Sequence, residues 1–174
     1  GKKLTLVTTD LLLEGIHFDL TYVPLKHLGY KAAVVNFSDI YAMNGQPKQI
    51  TVSIGVSKRF TVEHIEALYE GIRHACDVYG VDLVGGDTSA SVTGLIISIT
   101  CIGEGEEGNV VYRNGAADTD LICVSGDLGA AYMGLQLLER ERVASEGIKD
   151  FQPKLAGREY ILERHLKPEA RKDV

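Results

Sequence analysis

The chain has 174 residues, 45% hydrophobic and 24% charged, which suits a soluble globular protein with one full core and part of a second unit. A net charge of −6 argues against non-specific nucleic-acid binding, which needs Lys and Arg to neutralise phosphates. No apolar run approaches the roughly 20 residues of a membrane-spanning helix, and no basic-then-apolar leader opens the chain, so a cytoplasmic protein is expected.

Leu4 to Thr9 is rich in β-formers and ends at Asp10, which reads as a strand delivering an acidic loop. Pro24 then precedes apolar or small residues at Leu25, Leu28, Ala32, Val35 and Phe37, a helical spacing that carries Ser38-Asp39 near its far end before Gly45 and Pro47. Gln49 to Gly55 alternates Ile50, Val52 and Ile54 with polar residues, as a strand does. Thr61 opens a second helix, with Glu63 in its first turn, an apolar stripe through Ile65, Leu68, Ile72, Cys76 and Tyr79, and Gly80 as its stop.

Val81 to Val84 reads as a short strand running into Gly85-Gly86-Asp87-Thr88, and Leu95 to Ile102 as a longer one; the two can pair as a hairpin around the glycines. A boundary is placed at Arg113-Asn114-Gly115, dividing the chain into residues 1–114 and 115–174. The second part predicts a strand over Asp120 to Ser125, the turn Gly126-Asp127-Leu128-Gly129, a helix from Ala130 to about Arg142 and a last helix around Leu155 to His165. One strand and two helices cannot cover both faces of a sheet, so this part is expected to be the start of an incomplete α/β domain. Gly1 stands where an initiator Met is expected, which leaves room for a start further upstream. Cys76, Cys101 and Cys123 show no paired spacing and are expected as buried small hydrophobes in a reducing compartment.

Three acidic motifs, Thr8-Thr9-Asp10, Ser38-Asp39 and Gly85-Gly86-Asp87-Thr88, end apolar stretches, each carboxylate beside a hydroxyl or a glycine. Mg²⁺ takes oxygen ligands and sits between one or two carboxylates and substrate phosphates, so aspartates converging from separate segments would serve Mg-nucleotide chemistry. Each Asp also suits a turn or a helix cap. There is no GxxxxGK[ST] loop, no GxGxxG after a strand and no His-Arg-Asp kinase motif. Gly126-Asp127-Leu128-Gly129 precedes a helix and could hold an anion on its amides, but with no basic residue adjacent in sequence a plain turn is the favoured reading. His17 lies between apolar Ile16 and Phe18 and reads as structural. Arg113 is either a solvated charge or a phosphate clamp.

The run Thr8-Thr9-Asp10 through Glu14-Gly15-Ile16-His17-Phe18, then Gly29-Tyr30-Lys31-Ala32, then Asn36-Phe37-Ser38-Asp39 through Met43-Asn44-Gly45-Gln46-Pro47, then Gly85-Gly86-Asp87-Thr88, resembles the thiamine-monophosphate kinase family in order and gaps. That family belongs to the aminoimidazole ribonucleotide synthetase-like superfamily, with hydrogenase-maturation protein HypE and selenophosphate synthetase. The Glu-Gly-Ile-His-Phe segment is the discriminating part.

The resemblance implies an α+β fold, a mixed sheet with flanking helices in the N-terminal domain. It implies phosphoryl transfer from ATP to thiamine monophosphate by direct in-line attack, with no phosphoenzyme and no catalytic side chain assigned. By position in the motifs, Thr8, Thr9, Asp10, Asp39 and Asp87 would hold Mg²⁺, His17 would contact thiamine monophosphate, and Tyr69, Gly86, Asp87 and Arg113 would contact ATP. The family forms homodimers in which the N-terminal sheets pair into a barrel. It also carries a Gly-Asp-Asp segment upstream and a second domain beyond residue 174, so this chain by itself is expected to bind Mg-ATP weakly and turn over little. Met43-Asn44-Gly45 departs from the family's Met-Gly followed by a small residue. Competing readings are a sister synthetase of the superfamily and a non-catalytic nucleotide-binding or dimerisation module.

Overall fold

The computed structural model describes residues 1–172. Strands β1 (Lys3–Leu13), β2 (Gln46–Val56), β3 (Asp82–Ala90) and β4 (Ile96–Glu106) form one mixed sheet in the order β1-β4-β2-β3. β4 runs antiparallel to both neighbours, while β3 is parallel to β2 and is reached through helix α2 (Val62–Tyr79). Parallel neighbours require such a crossover, because a tight turn can only reverse the chain. The expected hairpin between the segments at 81–84 and 95–102 is therefore not formed: β2 lies between them, and the Gly85-Gly86-Asp87-Thr88 run sits inside β3.

Alternation along β4 decides which face is covered. Ile97, Ile99 and Cys101 are fully buried together with Ile50 and Val52 of β2, and α1 (Leu25–Ala42) and α2 pack over that face. The opposite face carries Thr100 and Ser98 and leaves Val7 and Leu11 of β1 exposed.

α1 starts directly after Pro24. Gly29 and Gly71 make the crossing of α1 and α2 close: a Cβ on Gly71 would lie 1.9 Å from the carbonyl oxygen of Lys26, and one on Gly29 would lie 2.0 Å from that of Leu68. Thr61 caps α2 with His64, whose Nδ1 accepts the Thr61 N–H at 3.1 Å, and Gly80 ends the helix in the left-handed conformation.

Residues 107–129 contain no helix or strand, and helices α3 (Ala130–Ser145) and α4 (Glu159–Leu166) follow, packed on each other, with α4 reaching α1. The strand expected over Asp120 to Ser125 does not form. Its apolar residues find no ladder beside them among the described residues, and Leu121 and Ile122 are 90% and 96% exposed. Cys76 and Cys101 are buried as expected, but Cys123 is exposed because it lies in that unpaired segment.

Candidate active site

Strand alternation turns Thr8 and Asp10 of β1 toward the helix-covered face and Thr9 toward the other. α1 crosses that face and brings Asp39, near its C-terminus, to β1, where Thr8 Oγ1 donates to Asp39 Oδ2 at 2.7 Å. Burial raises the Asp10 pKa above the usual carboxylate value, and the negative charge of Asp39 raises it further against the opposing pull of His17. Two carboxylates from distant motifs thus share one small region. Thr9 is engaged elsewhere, its hydroxyl donating to the carbonyl of Ile99 and accepting from Thr100.

Beside this pair opens a cleft of about 800 Å³ whose walls include Thr8, Asp39, Met43, Tyr112 and Arg113. Arg113 therefore shares the cleft with the Thr8-Asp39 pair although 74 positions separate it from Asp39 in the chain. The link is Asn44. It adopts φ 56°, a left-handed conformation that Asn tolerates, and its Nδ2 donates to the carbonyl of Asn109 at 3.0 Å, while the Val111 N–H donates to the Met43 carbonyl at 3.1 Å. The departure at Met43-Asn44-Gly45 is thus the device that ties the Arg113 segment to the end of α1. Sequence reasoning did not find this role; the signal available was the readiness of Asn to take positive φ before Gly45.

His17 sits in a turn that leaves β1. Its own N–H donates to the Leu13 carbonyl at 2.9 Å, and its Nδ1 accepts the Leu13 N–H at 3.0 Å. A neutral ring so bonded carries its proton on Nε2, so the exposed edge offers a donor.

Asp87 lies apart from the other carboxylates. Across the sheet, Asp10 stands opposite Ile99, Ile99 opposite Val52 and Val52 opposite Gly86, with Asp87 one residue further on. β1 and β3 are the two edges, with two strands between them, so roughly 14 Å separates the rows of Asp10 and Asp87 at ordinary strand spacing. Among the described residues no group of three or more His, Cys, Asp or Glu side chains is placed to hold a metal. One copy of the chain brings Thr8, Asp10 and Asp39 together and leaves Asp87 at the far edge.

Gly86 has a packing reason of its own: a Cβ there would lie 1.9 Å from the Val52 carbonyl oxygen. Tyr69 is on α2, in a separate groove of about 460 Å³ with Phe60, Ile65 and Arg73, and burial raises its pKa. The Gly126-Asp127-Leu128-Gly129 turn does have basic neighbours, brought from far along the chain. Arg171 Nη1 donates to the Ser125 carbonyl at 2.7 Å and Arg164 lies 3.9 Å from Asp127, so both arginines are occupied in holding the turn.

The donor chemistry at β1 and α1 fits Mg²⁺. Asp10 and Asp39 are hard oxygen donors whose mutual repulsion a cation would relieve, and Mg²⁺ characteristically takes one or two carboxylates and completes its shell with water and phosphate.

A family model described as AIR synthase related protein, N-terminal domain, matches residues 1–104. The thiamine-monophosphate kinase of Bacillus subtilis (strain 168) is 37% identical over 169 residues, covering 97% of this chain and 50% of that protein. That of Aquifex aeolicus (strain VF5) is 39% identical over 174 residues, covering 99% and 52%. The chain spans about half the length of the curated relatives it matches. A solved structure described as AaThiL complexed with AMPPCP and TMP superposes with TM-score 0.82 at 38% identity, over 98% of this chain and 51% of that one. The hydrogenase maturation protein HypE, with TM-score 0.54 and 19% identity, shares the fold.

Proposed function

This chain belongs to the AIR synthase related protein family through its N-terminal domain, and we propose that it serves the ATP-dependent phosphorylation of thiamine monophosphate to thiamine diphosphate. The observation that carries this reading is the Thr8-Asp39 hydrogen bond beside Asp10, at the mouth of a cleft that also holds Arg113.

In such a transfer the acceptor oxygen is already anionic, so no side chain need remove a proton, and the protein's part is positioning and charge. Thr8 fixes the Asp39 carboxylate by donating to one of its oxygens. Asp10 and Asp39, with Asp87, would hold Mg²⁺, which would neutralise phosphate charge where the acceptor oxygen bonds to the γ-phosphorus and the bond from that phosphorus to the ADP oxygen breaks. Arg113 presents a planar fork suited to phosphate oxygens. His17 offers its Nε2–H to the acceptor, and Tyr69 and Gly86 serve the nucleotide.

Asp87 and Tyr69 reach such a site from a second copy. Among the described residues β1 and β3 are the sheet's edges, and its uncovered face exposes Val7 and Leu11, so two sheets closed edge to edge around those faces would bury apolar surface and bring the β3 edge of one copy to the β1 edge of the other. A cytoplasmic location fits a chain in which no described helix is long and apolar enough to cross a membrane.

The test is ADP release by the protein purified as the cell makes it, with thiamine monophosphate, Mg²⁺ and ATP. Release should depend on the acceptor, and Asp39→Asn should lower it at least about 100-fold with an unchanged unfolding transition. ADP release indifferent to thiamine monophosphate would overturn the reading.

A further inference from the structure

Glu14 leaves β1 immediately before the Gly15-Ile16-His17-Phe18 turn, and its side chain is only 16% exposed. Its Oε2 accepts the Leu95 N–H at 2.9 Å, its own N–H donates to the Leu95 carbonyl at 3.1 Å, and its Oε1 is paired with Arg59 from the segment between β2 and α2. Gly94 makes room for this arrangement: a Cβ there would lie 2.6 Å from Glu14 Oε2. Arg59 in turn lies over the Phe60 ring, 4.8 Å from its centroid, and Phe60 lines the groove that contains Tyr69.

We propose that Glu14 is a positioning residue: with Arg59 and Gly94 it clamps the turn that carries His17 against two other corners of the sheet and thereby sets the acceptor site. The proposal rests on the reading of His17 as the acceptor contact. The turn is also held by local bonds, Gly15 N–H to the Phe18 carbonyl at 2.8 Å, Ile16 N–H to the Leu13 carbonyl at 3.2 Å and the two bonds between Leu13 and His17, and Phe18 at its end is buried in the core. The local bonds fix the shape of the turn; its place over the sheet rests on the Glu14 N–H bond to Leu95, the buried Phe18 side chain and the Glu14 carboxylate. Only the Glu14 carboxylate joins it to the 94–95 corner and to Arg59 by side-chain bonds. An ion pair with one half-exposed partner contributes little stability. Its effect is on placement, and a displacement of about 1 Å in a substrate contact can alter a rate constant by a large factor.

Glu14→Gln keeps an oxygen for the Leu95 N–H and removes the charge that Arg59 meets, while Arg59→Ala removes the other partner. In steady-state kinetics of the protein as the cell makes it, each should raise the KM for thiamine monophosphate about tenfold while the KM for ATP and kcat change less than about twofold. The double variant should be no worse than either single one, as for two residues acting through one contact. His17→Ala is the reference. If it raises the acceptor KM and Glu14→Gln and Arg59→Ala do not, the clamp is wrong and the acceptor reading stands. If His17→Ala leaves that KM unchanged, the acceptor reading falls and the clamp falls with it. Equal losses in kcat for every variant, tracking a lower melting temperature, would also overturn the proposal, since they mark a role in folding alone.

Discussion

Asp10 is held in a charge state that the surrounding protein disfavours. Its pKa is raised first by burial and then by Asp39, so above that pKa the folded chain carries a partly desolvated anion beside another. An acid whose folded pKa lies above its unfolded value destabilises the fold once both states are ionised, and the loss is recovered as pH falls through the folded pKa toward the unfolded one. Asp10→Asn should therefore raise the melting temperature at pH 7, while abolishing phosphoryl transfer. A melting temperature that drops instead would mean that Asp10 serves the fold. The acidic motifs around it were legible in the sequence because each sets a carboxylate beside a hydroxyl or a glycine at the end of an apolar stretch. The Asn44 tether was not, since a side chain donating to a carbonyl 65 positions away leaves no local pattern.

Among the elements, helix periodicity and strand alternation located α1, α2, β2 and β4, because each presents an apolar stripe or row to one core. Pairing was less legible. Two apolar segments separated by glycines fit a hairpin as well as they fit strands parted by a third, and only the covering of one face by α1 and α2 settles the order β1-β4-β2-β3. The strand expected at 120–125 failed for a related reason: β-propensity reports fitness for a ladder and cannot supply the neighbour. The α1-α2 crossing depends on absent side chains. Gly71→Ala should cost about 2 kcal/mol, because the added methyl meets helix backbone and cannot be accommodated by a rotamer change; denaturant unfolding of the variant measures it, and a loss below a few tenths of a kcal/mol would show that the helices can part freely.

For the whole molecule, the separation of Asp10 from Asp87 across the sheet makes a specific demand on assembly. If a site is completed by the β3 edge of a second copy, mixing inactive Asp10→Asn and Asp87→Asn proteins under exchange should restore about a quarter of the wild-type rate, since half of randomly formed pairs are mixed and each contains one intact site. No recovery, with exchange verified by mass, would place both carboxylates in service of one chain's own site. The resemblance carried by the motifs implied a homodimer through the N-terminal sheets, with Asp10, Asp39 and Asp87 expected to converge on one metal; the separation of Asp87 from the other two across the sheet was legible in neither the motifs nor the periodicity. Gly86 adds a lesson about inference from variation. Its missing side chain leaves room for the β2 backbone, so drift at this position is closed off by sheet architecture before any ligand is considered. Invariance there across descendants would record the spacing of two strands, and an evolutionary argument for nucleotide contact has to be made from neighbours whose side chains are free to change.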